Sequence, residues 1–220
     1  MCVDAPHQLL AKQRCIENMG AKGVVMRTCW VLDHPAHVRL LAPFLRSGQS
    51  NDVIIATRRE EVVSLLEHGD GHLPRRQTHW VERPVGAKQR RVALKRLASS
   101  HAFLRKCSAA AQPIERIVVV GASIELLAWR SALLRRSLKS ITQRWYISDT
   151  EVNHTAHRLA LRSATHFVLP THWDSTIDGG LLAAIKEATV HRLDGLHGHI
   201  HLRPSIRPPT VSNPPRVVVR

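Results

Sequence analysis

The sequence has few acidic residues and few aromatic ones. Among its 220 residues, 17 Asp and Glu face 32 Lys and Arg, so the formal net charge is +15 with His neutral, and aromatic residues make up only 4%. A basic balance of this size is typical of nucleic-acid-binding proteins. However, neither an aromatic-interleaved strand nor a Cys/His finger accompanies the basic groups, so two familiar signatures of a dedicated nucleic-acid site are missing.

Paired cysteines and long apolar runs are also missing. The spacing includes no CxxC pair, so we expect free thiols rather than disulfides or a zinc site at Cys2, Cys15, Cys29 and Cys107. The chain has no stretch of about 18 consecutive apolar residues, so no membrane span is expected. Residues 1–25 carry charged side chains and no continuous apolar run, unlike a secretory signal. Together these absences predict a cytoplasmic protein.

The chain does contain enough apolar sequence for a core. Hydrophobic residues make up 44%, which excludes a wholly disordered chain and a collagen-like one. Most of the basic residues are Arg, spread along the whole chain, with short dense groups at 58–59, 75–76, 88–96 and 135–136. We interpret them as a solvated Arg-rich surface. The alternative is a non-enzymatic protein that binds RNA or another anionic polymer.

Predicted strands and helices alternate about six times. Strands are expected at 24–32, 52–57, 78–81, 114–120, 141–147 and 165–169. Helices are expected from Pro35 to a break at 48–51, at 59–68, at 85–106, after 121–123 to about Leu138, and at 151–163. The strongest strands are continuous apolar runs, which is typical of a parallel sheet with helices on both faces. The predicted fold is therefore an α/β Rossmann-like sheet, in which ligands bind at the carboxyl ends of the strands.

The first candidate site follows the first predicted strand, at Asp33-His34-Pro35-Ala36-His37. Pro35 suits the first turn of a helix, and Asp33 or His34 can cap it. His37 would then lie in the first helical turn, where the helix N-terminus disfavours the protonated ring. A neutral His at this place is a plausible general base. The alternative is a His that only caps or packs.

The second candidate site lies between residues 148 and 157. Ser148 and Glu151 fit a capping box, which would be a complete structural explanation. The functional interpretation is that Glu151, His154 and His157 stand at successive i,i+3 steps and share one helical face. Such a face could contact a sugar, a phosphate or a metal ion, although two His three residues apart are weak evidence for metal.

Two further segments carry weaker patterns. Gly121-Ala-Ser123 follows the strongest predicted strand, and small residues there would let backbone N–H groups approach a ligand. The segment is not a complete GxGxxG or P-loop, so a simple strand-to-helix turn is the alternative. His197, His199 and His201 alternate near the end of the chain and could bind a transition metal in a strand, but a polar loop is expected.

The strand-to-helix junctions together resemble those of a family of predicted archaeal and bacterial glycosyltransferases. That family is similar to the non-hydrolysing UDP-N-acetylglucosamine 2-epimerases and other GT-B enzymes. Its members open with a strand, then Asp, Pro and His, as in residues 26–38 here. Their second strand ends in Thr-Ala-Arg, which is similar to Ala56-Thr57-Arg58, and a later Gly-Ser turn is similar to Gly121-Ala-Ser123.

The resemblance continues through the second half of the chain. An Asn-Asp-x-Glu-His motif is matched in part by Ser148-Asp149-Thr150-Glu151, with His154 slightly displaced. A strand that ends in Pro is matched by residues 167–170, and a Gly-x-x-Glu-Leu-x-Tyr-Leu-x-Pro stretch loosely by residues 195–204. The departures are Ser148 in place of the usual Asn, and His and Arg in place of the Glu and Tyr of the last motif.

The resemblance implies a GT-B architecture, in which an N-terminal domain holds the acceptor or the sugar and a C-terminal domain holds the nucleotide diphosphate. The nucleotide-sugar is then the substrate, together with an unknown acceptor, and no cofactor or metal is implied. The catalytic residues it implies are His37, Asp149 and Glu151. The substrate-binding residues it implies are Asp33, Pro35, Arg58, Ser123 and His154.

The resemblance also implies how the chain is divided. Residues 1–25 are expected to be an N-terminal extension, and residues 26–202 the Rossmann-like N-terminal domain. Residues 203–215 contain five prolines and are expected to be a linker. Residues 216–220 would be the stub of a C-terminal nucleotide-binding domain. We therefore expect little or no transferase activity from this chain by itself, and a complementary C-terminal domain or chain as its partner.

Overall fold

The residues that the structure describes form a sheet of seven parallel strands. The computed structural model describes residues 26–68, 73–84, 89–121, 124–148, 150–185 and 188–193. The described strands are β1 (Thr28–Leu32), β2 (Val53–Thr57), β3 (Gln77–Val81), β4 (Arg116–Val120), β5 (Gln143–Ile147), β6 (His166–Pro170) and β7 (Thr189–Leu193). They pair side by side in the order β3-β2-β1-β4-β5-β6-β7. The predicted α/β Rossmann-like parallel sheet is confirmed.

The central strands are buried because their sequences are apolar on both faces. Every residue of β1, β2 and β4 is buried. Within the sheet, Trp30 on β1 lies between Ile54 on β2 and Val118 on β4. Continuous apolar runs of this kind need cover on both sides, and helices provide it.

Helices cover both faces of the sheet, as predicted. They are α1 (Pro35–Ser47), α2 (Glu60–Val63, continued by a π-helical turn at Ser64–His68), α3 (Gln89–Ser108), α4 (Ala132–Arg136, preceded by a 3₁₀ helix at Ile124–Arg130), α5 (His154–Leu161) and α6 (Leu181–Ala184). Helices α1 and α2 pack on the face that includes Trp30 and Val118. The later helices pack on the opposite face, which includes Val31 and Val119.

Helix α1 starts as the sequence predicts. His34 is the N-cap, and its Nδ1 accepts a hydrogen bond from the Ala36 backbone N–H at 3.2 Å. Pro35 occupies the first helical position, where its missing N–H costs nothing and its fixed φ suits the helix. This junction places the start of α1 directly after β1.

The single helix predicted after 121–123 is instead broken in two. The 3₁₀ helix Ile124–Arg130 is followed by Ser131, which is the N-cap of α4. The Ser131 side chain accepts a hydrogen bond from the Leu134 backbone N–H at 3.4 Å. Serine competes for backbone hydrogen bonds inside helices and favours N-cap positions. The apolar periodicity is continuous across this break, which is why the sequence predicts one helix.

The predicted capping box of Ser148 and Glu151 is wrong. Helix α5 begins at His154, and Asn153 is its N-cap, accepting a hydrogen bond from the Ala156 backbone N–H at 3.4 Å. Asn is as favourable a cap as Ser, so the later residue can take the role. Ser148 is instead buried after β5. Val152 lies within the predicted helix 151–163, but it precedes the observed helix and is 63% exposed.

Strand β7 is missing from the sequence prediction. Its residues Thr189–Leu193 include His191 and Arg192, which interrupt the apolar pattern. The strand pairs with β6, where Val190 lies opposite Phe167. Backbone pairing with a buried neighbour therefore forms a strand that local sequence does not indicate.

Cys29 and Cys107 are free thiols buried in the core, as expected. Burial raises the pKa of Cys29 well above the ordinary thiol value, so this thiol is unreactive. In the described part of the chain, no helix is both long and apolar enough to cross a membrane. Cys2, Cys15, the predicted extension 1–25, the histidines 197–201, the linker 203–215 and the stub 216–220 lie outside the described residues.

Candidate functional site

The carboxyl ends of β1 and β4 form the switch point of the sheet. From β1 the strand order runs one way to β2 and β3, and from β4 the other way to β7. In open parallel sheets a crevice forms at this point, and ligands bind in it. Asp33 follows β1 and Gly121 follows β4 at this crevice. Gly121 has φ of +65°, a conformation that favours glycine.

Asp33 lies at the surface of the crevice and is held from below. Its Oδ1 accepts hydrogen bonds from Thr57 Oγ1 and from the Arg96 guanidinium, each at 2.7 Å. Its side chain remains 23% exposed. Both hydrogen bonds fall on Oδ1, so Oδ2 has no hydrogen-bond partner among the residues that the structure describes. The carboxylate is therefore fixed in place with one oxygen directed away from its supports.

Arg96 and Glu125 form a buried ion pair beneath Asp33. Arg96 Nε and Nη2 donate to Glu125 Oε1 and Oε2, both at 2.8 Å, in a bidentate pair. Ser100 Oγ donates a further hydrogen bond to Glu125 Oε1 at 2.9 Å. Burial by itself lowers the pKa of Arg96, but the hydrogen bonds and charges of Glu125 and Asp33 outweigh it, and the pKa rises above its ordinary value. The guanidinium is therefore a permanent cation.

His37 lies next to Asp33 through the backbone. The Asp33 backbone N–H donates a hydrogen bond to His37 Nδ1 at 3.3 Å. With Nδ1 as acceptor, a neutral imidazole carries its proton on Nε2. In this tautomer Nε2 is a hydrogen-bond donor, and proton abstraction by Nε2 would need the other tautomer. The catalytic role of His37 stays a prediction.

Pro35 and Arg58 have different surroundings. Pro35 opens α1, whose first turn contains no acidic residue. Arg58 follows β2, is exposed, and places its guanidinium over the Trp80 ring, 5.6 Å from the ring centroid. Among the described residues, no hydrogen bond or ion pair joins Arg58 to Asp33. Pro35 therefore lies at the crevice, at the start of α1, while Arg58 lies nearer to β3.

Glu151 and His154 hold a different part of the carboxyl edge. The Asp174 backbone N–H donates to Glu151 Oε1 at 3.4 Å, and His154 Nε2 donates to the Ile177 carbonyl at 2.8 Å. Both side chains thus attach the loop after β6 to the start of α5. No hydrogen bond, ion pair or ring contact in the described residues connects them with Asp33 or His37.

His157 is the buried member of this second group. Its Nδ1 lies 3.3 Å from the Asp178 carbonyl, and its Nε2 lies 3.1 Å from the Thr150 carbonyl and 3.2 Å from Ser148 Oγ. Trp173 Nε1 donates to Asp178 Oδ2 at 3.0 Å. His157 therefore links the loops after β5 and β6, and its role in this arrangement is structural.

Arg96 and Glu125 are the residues of the crevice that the sequence analysis did not single out. Arg96 belongs to the basic group 88–96, which resembles a solvated face. Glu125 carries the clearer signal, because it is the only acidic residue between 116 and 142 and stands inside an apolar run. An isolated acid in such a run is rarely buried unless it has a partner.

Two of the predicted site residues lie outside the described residues. They are Ser123, after β4, and Asp149, after β5. Within the described ranges, no three His, Cys, Asp or Glu side chains are grouped so that they could hold a metal ion.

Comparison with known proteins adds no family. No protein-family model matches the sequence, and no curated protein matches it. The chemistry of the crevice therefore rests on its own residues.

Proposed function

We propose that the crevice binds a nucleotide-sugar, and that the protein is a glycosyltransferase or UDP-sugar epimerase-like protein of GT-B type. The observation that carries the proposal is the Asp33 carboxylate at the switch point, fixed by Thr57 and Arg96 and partly exposed. Carboxylates held in this way accept hydrogen bonds from hydroxyl groups, which sugars supply in pairs.

The start of α1 supports the same ligand. The positive end of its helix dipole favours an anionic group here, and no acidic side chain in the first turn opposes it. A phosphate beside the positive end of this helix and a sugar beside a carboxylate together match the two halves of a nucleotide-sugar.

The chemistry of transfer places two demands on such a site. The acceptor hydroxyl must lose its proton, and the leaving nucleotide must be stabilised as it departs. In this proposal Asp33 orients the sugar, His37 contacts the acceptor or a phosphate oxygen, and the leaving group is stabilised mainly by donors beyond this crevice. Epimerase-like chemistry would use the same sugar contacts.

Calorimetric titration of the purified chain with UDP-N-acetylglucosamine and with UDP tests this proposal. We expect Asp33→Asn to weaken UDP-N-acetylglucosamine binding by about 10- to 100-fold, because a hydrogen bond to a charged group contributes about 1.5–3 kcal/mol. Binding of UDP alone should change little, because Asp33 contacts the sugar.

The matched control is Glu61→Gln, which removes the same charge from an exposed side chain on α2. It should bind both ligands like the unmodified chain. A chain that binds neither ligand, or an Asp33→Asn variant that loses UDP and UDP-N-acetylglucosamine affinity equally, would contradict the proposal.

A further inference from the structure

A basic groove lies at the amino edge of the sheet, opposite the crevice. Two cavities of about 600 and 430 Å³ adjoin there and share Arg144 and Thr165 in their walls. Their linings include residues just before or at the starts of β5, β6 and β7. Because all strands are parallel, this edge is the one farthest from Asp33. We call these two adjoining cavities the amino-edge groove.

Among the described residues, five cations and no acidic residue line the amino-edge groove. The first cavity is lined by Arg135, Arg136, Lys139 and Arg144, and the second by Arg144 and Arg162. All except Arg144 are exposed. Among the described residues, none of the five takes part in an ion pair, since the ion pairs found there are those of Arg96. Within the described part of the chain, the groove is therefore a concentration of positive charge with no acidic side chain in its lining.

Arg144 is fixed at the junction of the two cavities. Its Nε donates to the Ser163 carbonyl, and its guanidinium lies over the Trp129 ring, 5.8 Å from the centroid. Burial and the nearby charge of Arg135 both lower the pKa of Arg144. Ser163 also lines the second cavity, and its buried Oγ has no hydrogen-bond partner among the described residues. An anion in the groove would relieve the repulsion between these cations.

We propose that the amino-edge groove binds the phosphate backbone of single-stranded nucleic acid, independently of the nucleotide-sugar crevice. Its length favours a polymer over a single phosphate. The groove crosses the starts of three strands, and neighbouring strands lie about 4.8 Å apart, so this part of it is about 10 Å long. The residues of α4 that line the first cavity extend the groove further. Successive phosphates of one strand can then meet successive cations.

The lining also indicates the manner of binding. Trp129 is buried beneath Arg144 and offers no exposed face for a base to stack on. Recognition would rest on phosphates, without sequence preference, and would be strongly salt-dependent. The concave shape fits an extended strand better than a flat lipid surface.

The test is fluorescence anisotropy of a labelled 15-residue oligo(U) RNA titrated with the full chain at 50 and 200 mM KCl. The variant R135Q/R136Q/K139Q removes three exposed cations from the groove. For single strands the slope of log affinity against log salt is about −0.7 per phosphate contact, so losing three contacts should flatten it by about 2. The fall in affinity between the two salt concentrations should then be about 20-fold smaller than for the unmodified chain.

The matched control R39Q/R46Q/R75Q removes three exposed arginines on the α1 side of the molecule. It should keep the original slope, and circular dichroism should show both variants folded. Equal losses in the two variants would overturn the proposal, because binding would then follow total charge. The proposal is also overturned if the chain binds tripolyphosphate or vesicles containing phosphatidylserine but not the RNA. Neither outcome bears on the nucleotide-sugar titration, which uses a different edge of the sheet.

Discussion

Arg96 holds two carboxylates at once, one fully buried and one at the crevice surface. The ion pair between Arg96 and Glu125 is buried. In the ion pair between Arg96 and Asp33, the Asp33 side chain is partly exposed to water. A buried ion pair contributes little net stability, because desolvation offsets the attraction between the charges. Removing one member is costly, because the other charge is left buried and uncompensated.

We therefore predict that Arg96→Met lowers the free energy of unfolding by about 3–5 kcal/mol, because the variant removes the guanidinium that pairs with the buried Glu125 carboxylate. Urea unfolding at pH 7 measures this loss. The control Arg105→Met replaces an exposed arginine on the same helix and should change stability by no more than about 0.5 kcal/mol.

The double variant R96M/E125L distinguishes the cause of that loss. It removes both charges and fills their space with apolar atoms, so it should recover much of the stability lost in Arg96→Met. If the double variant is as unstable as the sum of the single changes, the cost is one of packing volume, and the buried-charge explanation fails.

At the scale of elements, three aromatic rings link β5, β6 and β7 on one face of the sheet. Trp145 lies 4.5 Å from His166 and 4.6 Å from His191, measured between ring centroids, with interplanar angles of 11° and 19°. His166 and His191 are themselves 5.7 Å apart. Burial, together with the positive charges of His191, Arg116 and Arg144, lowers the pKa of His166 to about 4. Burial also lowers the pKa of His191.

These lowered pKa values predict that the fold loses stability as the pH falls from about 6.5 toward 4. Over this range the unfolded chain, with an ordinary His pKa of about 6.5, binds protons that the folded rings do not. His166→Phe keeps a ring in the stack and removes the titration. It should reduce the difference in unfolding free energy between pH 7 and pH 5 by about 1 kcal/mol, after allowance for solvent at the half-exposed ring.

Urea unfolding at the two pH values provides the measurement. His172→Gln, which replaces an exposed histidine in the loop after β6, is the control and should show the original pH dependence. A His166→Phe variant that loses as much stability between pH 7 and pH 5 as the unmodified chain would show that His166 is not a source of the effect.

At the scale of the whole molecule, the formal charge is +15, and few of the described cations take part in close ion pairs. In the described residues, the ion pairs within 4 Å are those that Arg96 makes with Asp33 and Glu125. The other cations repel one another across the surface. Like-charge repulsion destabilises a compact state, and salt screens it.

We expect the thermal unfolding midpoint at pH 7 to rise between 10 and 150 mM KCl, as the screening length falls from about 30 to about 8 Å. Each kcal/mol of relieved repulsion should raise the midpoint by about 2–4 °C. Calorimetric scans at the two salt concentrations measure the rise, which should be smaller in R39Q/R46Q/R75Q because that variant carries fewer positive charges. A midpoint that falls with salt would contradict this account.

Local sequence predicts the strands best where they are apolar, and the polar contacts least well. The residues 29–32 and 117–120 are continuous apolar runs whose burial follows from composition. The start of α1 follows from His34 and Pro35. By contrast, the capping box at Ser148 is wrong, because Asn153 offers an equally good cap closer to the helix. Strand β7 was missed because its pairing with β6 comes from distant sequence.

The candidate site divides in the same way. Asp33, Pro35 and His37 follow one another in the chain, so their common position after β1 was predictable. Arg96 and Glu125 were not, because they are 29 residues apart and meet only through the packing of α3 against the 3₁₀ helix. Glu151 and His154 lie on the predicted edge but contact the loop after β6.

Local sequence is sufficient to predict the parallel sheet, the junction after β1 and the excess of positive charge, because these depend on apolar runs, capping and composition. Which charges are neutralised depends on how the chain packs in three dimensions. This packing buries Arg96 between Asp33 and Glu125 at the carboxyl edge, and it gathers Arg135, Arg144 and Arg162 into one groove at the amino edge. Charges act through distance in space, and only folding brings residues from separate helices and strands within that distance.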